Sequence, residues 1–265
     1  MRKINRMKRS KDNTGQFDEF YENFYHQRWS SLRCAMIVER VPVPFSEGLV
    51  KPYYLDESSL EAVRQLSLEK GDAVLDMCAA PGGKTLVMAV ALAGSGRLVC
   101  NDRSSQRRGR LRKVVEEHLH EPWRQNITFT SHDAAKWGLY ERDAYDAVLL
   151  DAPCSSERHV LASPSAMNQW SASRTKHLAI QQFAMLAAAL DAVRIGGHVL
   201  YCTCSISPLE NEKVIEKLST KRTGRFEVED INGVLAESLS YGAIVLPDKA
   251  QGKGPLYMCL IRRIA

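Results

Sequence analysis

The fold turns on the stretch Ala73-Val74-Leu75-Asp76-Met77-Cys78-Ala79-Ala80-Pro81-Gly82-Gly83-Lys84-Thr85, which runs on into the apolar residues Leu86 to Ala93. Residues 73–76 form a short apolar segment stopping on a carboxylate, and residues 84–92 are long enough for a helix. The pattern is strand, small-residue loop, helix. The alternation then recurs, with strands predicted at 97–101, 127–131, 144–150 and 198–203 and helices at 104–120, 176–193 and 209–218. Apolar strands separated by helices specify a mostly parallel sheet covered on both faces, an α/β fold. Two later runs, 243–246 and 255–262, bring the count to about seven strands, while 219–243 leaves the sixth hard to place. The one long irregular stretch, 152–175, exceeds the usual connection length and is expected to be a binding loop.

Upstream, Phe17, Phe20, Phe24, Trp29, Leu32 and Met36 recur at roughly helical spacing, so one or two amphipathic helices are expected over 17–38. They end before the breakers Pro42 and Pro44 and dock on the main domain. Residues 41–54 read as an extended connector, and a helix at 56–66 is capped by Asp56 or Ser58. This divides the chain into a basic flexible arm (1–16), a helical extension with its connector (17–60) and a main catalytic domain (61–265). Six cations and no acid in the first eleven residues suit an arm on phosphates, an organelle-targeting peptide or a solvated tail.

With 265 residues, 45% of them hydrophobic, the chain has the material for one large core. Its longest apolar stretch is eight residues, against about 18 for a membrane-spanning helix. Seven cysteines in a chain this size argue against a disulfide framework and for a reducing compartment. A formal net charge of +5 permits a polyanionic partner without requiring one.

In an open parallel sheet, ligands bind beyond the carboxyl ends of the strands, so the residues there carry the chemistry. Gly83-Lys84-Thr85 fits the end of a phosphate-binding P-loop, but the first glycine of that motif would fall on Cys78. The dinucleotide fingerprint is also missing. What remains is a small-residue loop for a nucleoside cofactor, its glycines allowing close approach, with Asp102 placed to accept the ribose hydroxyls and Asp133 to accept an adenine amino group. Each aspartate alone reads equally well as a helix cap. Cys154 and Cys204 fall at adjacent strand ends beside this loop, which points to a nucleophile pair. Cys34, Cys100 and Cys259 are expected to be inert buried hydrophobes. No metal site is expected, since Cys202 and Cys204 are too close together for a zinc pair and no C-x-x-C occurs.

The blocks DMCAAPGGKT (76–85), DAPCSSERH (151–159) and GGHVLYCTCSISPLENE (196–212) resemble those of the RsmB/NSUN family of S-adenosylmethionine-dependent RNA cytosine-5 methyltransferases, and most of all its mitochondrial NSUN members. The resemblance runs from about residue 53 to the C-terminus and implies a Rossmann-like class I methyltransferase fold. It further implies Cys204 as nucleophile, Cys154 as the aid to product release, and a cofactor or base site lined by Cys78, Ala79, Ala80, Pro81, Gly82, Gly83, Lys84, Asp102, Arg107, Asp133 and Asp151. Carbon 5 of cytosine is a poor nucleophile. A thiolate added at carbon 6 makes carbon 5 enamine-like, and a neutral Asp151 carboxyl is the expected hydrogen-bond donor to N3. His132, His159 and His198 are expected to be structural.

The implied partner is RNA, an rRNA or a ribosomal-subunit precursor with its base unstacked, and the small charge excess calls for a protein partner that supplies specificity. Arg103, Arg107, Arg108, Arg110, Arg112, Lys113, Arg158, His159 and the N-terminal arm are the candidate phosphate contacts. The expected location is mitochondrial, or else cytoplasmic or nucleolar, with no membrane role. Two alternatives are a ribosome-assembly scaffold that has kept the fold and, more weakly, a P-loop nucleotidase.

Overall fold

The computed structural model describes residues 13–231, 233 and 235–265, so most of the basic arm lies outside the described residues. Helix α1 (Thr14–Tyr25) leads through a 3-10 turn (His26–Arg28) into α2 (Trp29–Ile37). The expected connector is not plain coil, because β1 (Val43–Phe45) and β2 (Tyr53–Leu55) pair antiparallel within it. Helix α3 (Glu57–Arg64) follows, and of the two candidate caps it is the Asp56 side chain that accepts from Ser58 N.

The alternating region contains β3 (Ala73–Asp76), α4 (Gly83–Leu92), β4 (Arg97–Asn101), α5 (Ser105–His118), α6 (Glu121–Arg124), β5 (Ile127–Thr130) and β6 (Tyr145–Asp151). Then come α7 (Glu157–Ala162), α8 (Pro164–Gln169), α9 (Ala172–Ala192), β7 (Val193–Thr203) and α10 (Glu212–Lys221). The chain closes with β8 (Phe226–Glu229), β9 (Glu237–Ser238), β10 (Ala243–Val245) and β11 (Leu256–Arg263).

These strands form one nine-stranded sheet in the order β5-β4-β3-β6-β7-β11-β10-β9, with β8 also paired to β11. The five strands from β5 to β7 are parallel, and β11 runs antiparallel to β7. The two strands beyond the expected seven, β8 and β9, are four and two residues long and both fall within the hard-to-place stretch 219–243. The stretch 152–175 is largely helical rather than irregular. Helices α7 and α8 have six residues each, and α8 starts on Pro164 with Ser163 as its cap. The long helix begins at Ala172, four residues before its expected start, because Ser171 caps it. Strand β7 begins at Val193, five residues early, and carries a register shift between its pairs Val193–Tyr145 and His198–Ala147.

Successive strand residues point to opposite faces, and both faces are buried. Leu75, Val99, Val148, Leu150, Val199 and Tyr201 face one core, while Val74, Leu98, Ala147, Leu149 and Leu200 face the other. Helices α3, α4 and α5 cover the second face, and α9 and α10 cover the first. The N-terminal helices belong to the first core rather than lying on top of it. Phe17, Tyr21, Trp29, Leu32 and Met36 are all buried, and the rings of Phe17 and Trp170 meet edge-on at 5.0 Å.

Because Phe17 is fully buried, Phe17→Ala should cost about 3–5 kcal/mol. The expected result in urea is a lower midpoint for one transition that includes the whole chain. An unchanged midpoint would mean that α1 is a detachable appendage.

Candidate active site

Parallel strands bring their carboxyl ends to one edge, so Asp76, Asn101, Asp151 and Thr203 end their strands side by side. Pairing of β6 with β7 puts Asp151 opposite Cys202, and Ala152 N continues the ladder with a 2.9 Å bond to Cys202 O. The next residues of each strand then diverge into loops that carry the two cysteines. Their sulfurs lie 3.1 Å apart, and the Ser156 hydroxyl lies 3.1 Å from the Cys204 sulfur.

The two thiols are unlike. The Cys154 thiol and the Ser156 hydroxyl hydrogen-bond the Cys204 sulfur and, against the effect of burial, lower its pKa below the ordinary thiol value. That same contact with Cys204, together with burial, raises Cys154 well above it. Of the two, Cys204 is therefore the more readily deprotonated, and the thiolate is the nucleophilic form of a cysteine. Burial raises Cys78, Cys100 and Cys202, and Cys259 is pushed up to about 12. Cys100 and Cys259 are inert buried thiols as expected, but Cys34 is exposed because it falls on the outer side of α2.

A cavity of 470 Å³ opens beside this pair, lined among others by Cys78, Asp102, Arg107, Asp133, Pro153 and Ile180. It shares Cys78, Arg107 and Pro153 with a second cavity of 560 Å³ that reaches Cys154, Cys204, Lys84 and Asp151. Ala80 and Pro81 line the second cavity, while Ala79 and Gly83 line a smaller one of 200 Å³ that also touches Lys84 and Asp151. Gly82 lines none of these. Its φ is +120°, and a Cβ there would come within 3.0 Å of Val114 on α5. A Cβ on Gly83 would meet the Tyr53 ring at 2.9 Å. The room left by these glycines is thus filled by the protein itself rather than kept for a ligand.

Lys84 Nζ donates to Asp151 Oδ2 at 2.7 Å. Burial opposes the ammonium, but the Asp151 carboxylate outweighs it and raises the Lys84 pKa. Asp151 is therefore an ion-pair partner rather than the lone neutral carboxyl expected from the sequence. Asp76, fully buried, is raised to about 7 by burial, and the Thr85 hydroxyl donates to its Oδ2 at 2.7 Å. Asp102 accepts from Ser104 N at 2.9 Å while Ser104 itself caps α5, and among the described residues the buried Asp102 Oδ2 accepts no hydrogen bond. Arg107 lies beside that oxygen at 3.4 Å and donates to Ala80 O at 2.6 Å. Asp133 accepts from Ala135 N as a helix cap and also lines the cavity.

Several functional positions carried little sequence signal. The buried Asn101 donates to Met77 O and His132 O and accepts from His132 N and the Thr130 hydroxyl, fastening three loops around the cavity. Arg40 and Asp56 line the thiol cavity from the connector. Arg158 is not a free phosphate contact. It is buried, its pKa is pushed down to about 10 by that burial, and it donates to Val38 O and Gly252 O. Arg108 likewise spends one nitrogen on Asp102 O and Arg103 O. Arg103 remains highly exposed at the cavity mouth, 3.9 Å from Asp133.

A doubly covered parallel sheet with an antiparallel β11, and a cavity across its carboxyl edge, define the Rossmann-like fold of S-adenosylmethionine-dependent methyltransferases. The chain belongs to the 16S rRNA methyltransferase RsmB/F family, whose model matches residues 63–261. It is 40% identical to the 5-cytosine rRNA methyltransferase NSUN4 of Mus musculus over 83% of this chain and 62% of the relative. It is 34% identical to the mitochondrial tRNA (cytosine(34)-C(5))-methyltransferase of Danio rerio over 88% of this chain and 67% of the relative. The chain thus spans about three fifths of the length of the NSUN4 relatives from Mus musculus and Bos taurus. Among solved structures, PH0851 matches with a TM-score of 0.80 at 19% identity, covering 98% of this chain and 70% of the other. NSun6 from Pyrococcus horikoshii, solved with SFG, matches with a TM-score of 0.71 at 24% identity, covering 83% and 55%.

The asymmetry of the thiols can be measured by alkylation. At pH 7 iodoacetamide should modify Cys204 faster than Cys154. Ser156→Gly, which suits the backbone φ of +54° while removing the hydroxyl, should slow Cys204 about tenfold, the loss of one charge-assisted hydrogen bond. Peptide mass spectrometry reads both sites.

Proposed function

We propose that this chain is an S-adenosylmethionine-dependent RNA cytosine-5 methyltransferase acting through a covalent Cys204 adduct. The observation that carries this reading is the 3.1 Å contact between two thiols at adjacent strand ends, lining a cavity that shares Cys78, Arg107 and Pro153 with the aspartate-lined one. The family and its rRNA and tRNA cytosine-5 methyltransferase relatives support the reaction class.

The residues present fit the cofactor. Among the described residues Asp102 Oδ2 is a buried acceptor with no hydrogen bond, suited to a ribose hydroxyl, and Asp133 lines the same cavity, suited to the adenine amino group. Cys78, Ala80, Pro81, Lys84 and Arg107, which line the neighbouring cavity, would hold the remainder. When bound, S-adenosylmethionine supplies an electrophilic methyl group. Cys204 attacks carbon 6 of cytosine, forming a C–S bond and making carbon 5 nucleophilic. Negative charge then grows at N3. Because Asp151 is ion-paired, we read Lys84 and Asp151 as one proton-donating unit, the ammonium supplying the proton that a solitary neutral carboxyl was expected to carry. After carbon 5 is methylated, solvent water takes its proton, the C–H electron pair forms the C5–C6 double bond and the C–S pair returns to Cys204. Cys154, 3.1 Å away, assists this elimination by hydrogen-bonding the departing sulfur.

The substrate we propose is rRNA or a ribosomal-subunit precursor, with a protein partner supplying specificity. The NSUN4 relatives support rRNA, and the Danio rerio and Mus musculus mitochondrial tRNA methyltransferases support a mitochondrial setting. The intact thiol pair favours an enzyme over a scaffold.

With tritiated S-adenosylmethionine and transcribed small-subunit rRNA, wild type should label the RNA, and bisulfite sequencing should locate the base. Cys204→Ala should lose labelling by at least a thousandfold, about 4 kcal/mol of barrier. Cys154→Ala should accumulate an RNA adduct that survives denaturing electrophoresis and disappears in the double variant. An adduct persisting without Cys204 refutes the nucleophile assignment. Asp102→Asn should weaken cofactor binding about tenfold, the loss of one charged hydrogen bond.

A further inference from the structure

Directly behind the thiols lies a polar cluster for which the reaction above has no use. Glu157 at the start of α7 is fully buried, as is Glu210 just before α10, and among the described residues neither has a cationic partner. Both carboxyls share the hydroxyls of Ser155 and Ser205. Ser155 Oγ contacts Glu157 Oε1 and Glu210 Oε1, and Ser205 Oγ lies 3.0 Å and 3.1 Å from the same two atoms. The hydroxyls are also 3.1 Å from one another. Tyr21 of α1 donates to Glu157 Oε1, and Ile206 N donates to Glu157 Oε2 at 3.0 Å.

Counting protons shows what this cluster requires. Two serine hydroxyls carry one proton each, yet five oxygen–oxygen contacts run among the serines and carboxyls. Two adjacent buried carboxylates with no cation would also repel one another strongly. One added proton gives the five contacts a third donor and removes one of the two negative charges, and the donor pattern says where it sits. Glu210 Oε2 already accepts from Ser155 N at 3.0 Å and from Gln182 Nε2 at 2.8 Å, so the free place is Oε1, facing the serines. Glu157 meets a donor at each oxygen, as a carboxylate does.

We propose that Glu210, as a neutral acid hydrogen-bonded through Ser155 to an ionised Glu157, is a positioning residue that holds Cys154 and Ser156 against Cys204. This deepens the covalent-thiolate reading and rests on it. Ser155 is the link, because it separates Cys154 from Ser156 in the chain, and both of those touch the Cys204 sulfur. Tyr21 extends the assembly to the N-terminal helix, so α1 supports the reaction centre from outside the matched family region.

The groups facing Glu210 are Glu157 from α7, Tyr21 from α1, Cys154 and Ser155 from the loop after β6, Gln182 from α9 and Tyr201 from β7, whose hydroxyl donates to Glu210 O. Burial first, and Glu157 second, raise the Glu210 pKa to about 7. A raised carboxyl pKa means that the arrangement is complete at lower pH and is lost as pH rises through that value.

The test uses the full chain and iodoacetamide, reading Cys204 and Cys154 by peptide mass spectrometry from pH 6 to 9. In wild type, the preference for Cys204 should fall on the alkaline side by fivefold or more. Glu210→Gln places an amide NH₂ where the acid proton was and keeps a carbonyl for Ser155 N and Gln182, so its preference should persist across the range. Glu210→Ala should lose the preference at every pH, and Tyr21→Phe, which keeps the ring, should weaken it. A carboxylic C=O band in the infrared spectrum of wild type, absent from Glu210→Gln, should titrate with the same midpoint; this readout survives if Glu210→Ala does not fold. The proposal fails if Glu210→Gln behaves like Glu210→Ala, or if wild type shows neither the band nor the alkaline loss. None of these measurements uses RNA, so a chain that transfers no methyl group would refute the methyltransferase reading while leaving this test intact.

Discussion

Parallel pairing of β6 with β7 is the constraint on which the site depends. It sets Asp151 opposite Cys202, so the chain leaving each strand delivers a cysteine to the same place at the carboxyl edge. A slip of one residue would turn Asp151 and the residues before it to the opposite face and separate the thiols. Several contacts secure the register. Strand β11 pairs with β7 from Thr203 to His198 on its other side, and Arg263 at its end donates to Leu190 O, Asp191 O and Val193 O where α9 turns into β7. A cation on helix-terminal carbonyls is favourable, and here it anchors the start of the strand that carries Cys204 at its far end.

What could be read from the sequence follows from which forces act locally. Strands such as 73–76 and 97–101 coincide with β3 and β4 residue for residue, because an apolar run closed by a polar residue is written in consecutive positions. The cysteine pair was legible for the same reason, each member following a strand end at short range. Short elements held by tertiary contacts were not. Strand β9 exists through two pairings with β10, α8 depends on its Ser163 cap, and α7, which has no side-chain cap, depends on packing against α8 and α2 rather than on periodicity.

Charge states were the least legible. Asp151 alone, beside a small-residue loop, reads as a carboxyl free to be neutral. Its partner Lys84 is the residue that a P-loop reading would have turned toward a phosphate, and only the fold shows the ammonium swung onto the carboxylate 67 positions away. Glu157 falls within the loop expected at 152–175 and Glu210 at the start of the helix expected at 209–218, and neither position hints at the other. Folding places them in one pocket, without a cation among the described residues and with Ser155 and Ser205 between them, and that placement makes their protonation a property of the pair.

The distribution of charge follows the chemistry proposed for the site. Asp76, Asp102, Asp133 and Asp151 surround the joined cavities, against Lys84, Arg107, Arg103 and Arg40. All four of those cations lie within ion-pair distance of an acid: Lys84 of Asp151, Arg107 of Asp102, Arg40 of Asp56 and Arg103 of Asp133. Among the described residues no cation bonds the Cys204 sulfur, and a thiolate there is stabilised instead by neutral donors, Cys154 and Ser156. The difference matters for a nucleophile. A lysine paired to the sulfur would hold its electrons and compete with the carbon under attack, whereas weak neutral hydrogen bonds are given up at little cost as the C–S bond forms. On release, the same donors await the returning electron pair, so the contact that generates the thiolate also makes it a competent leaving group.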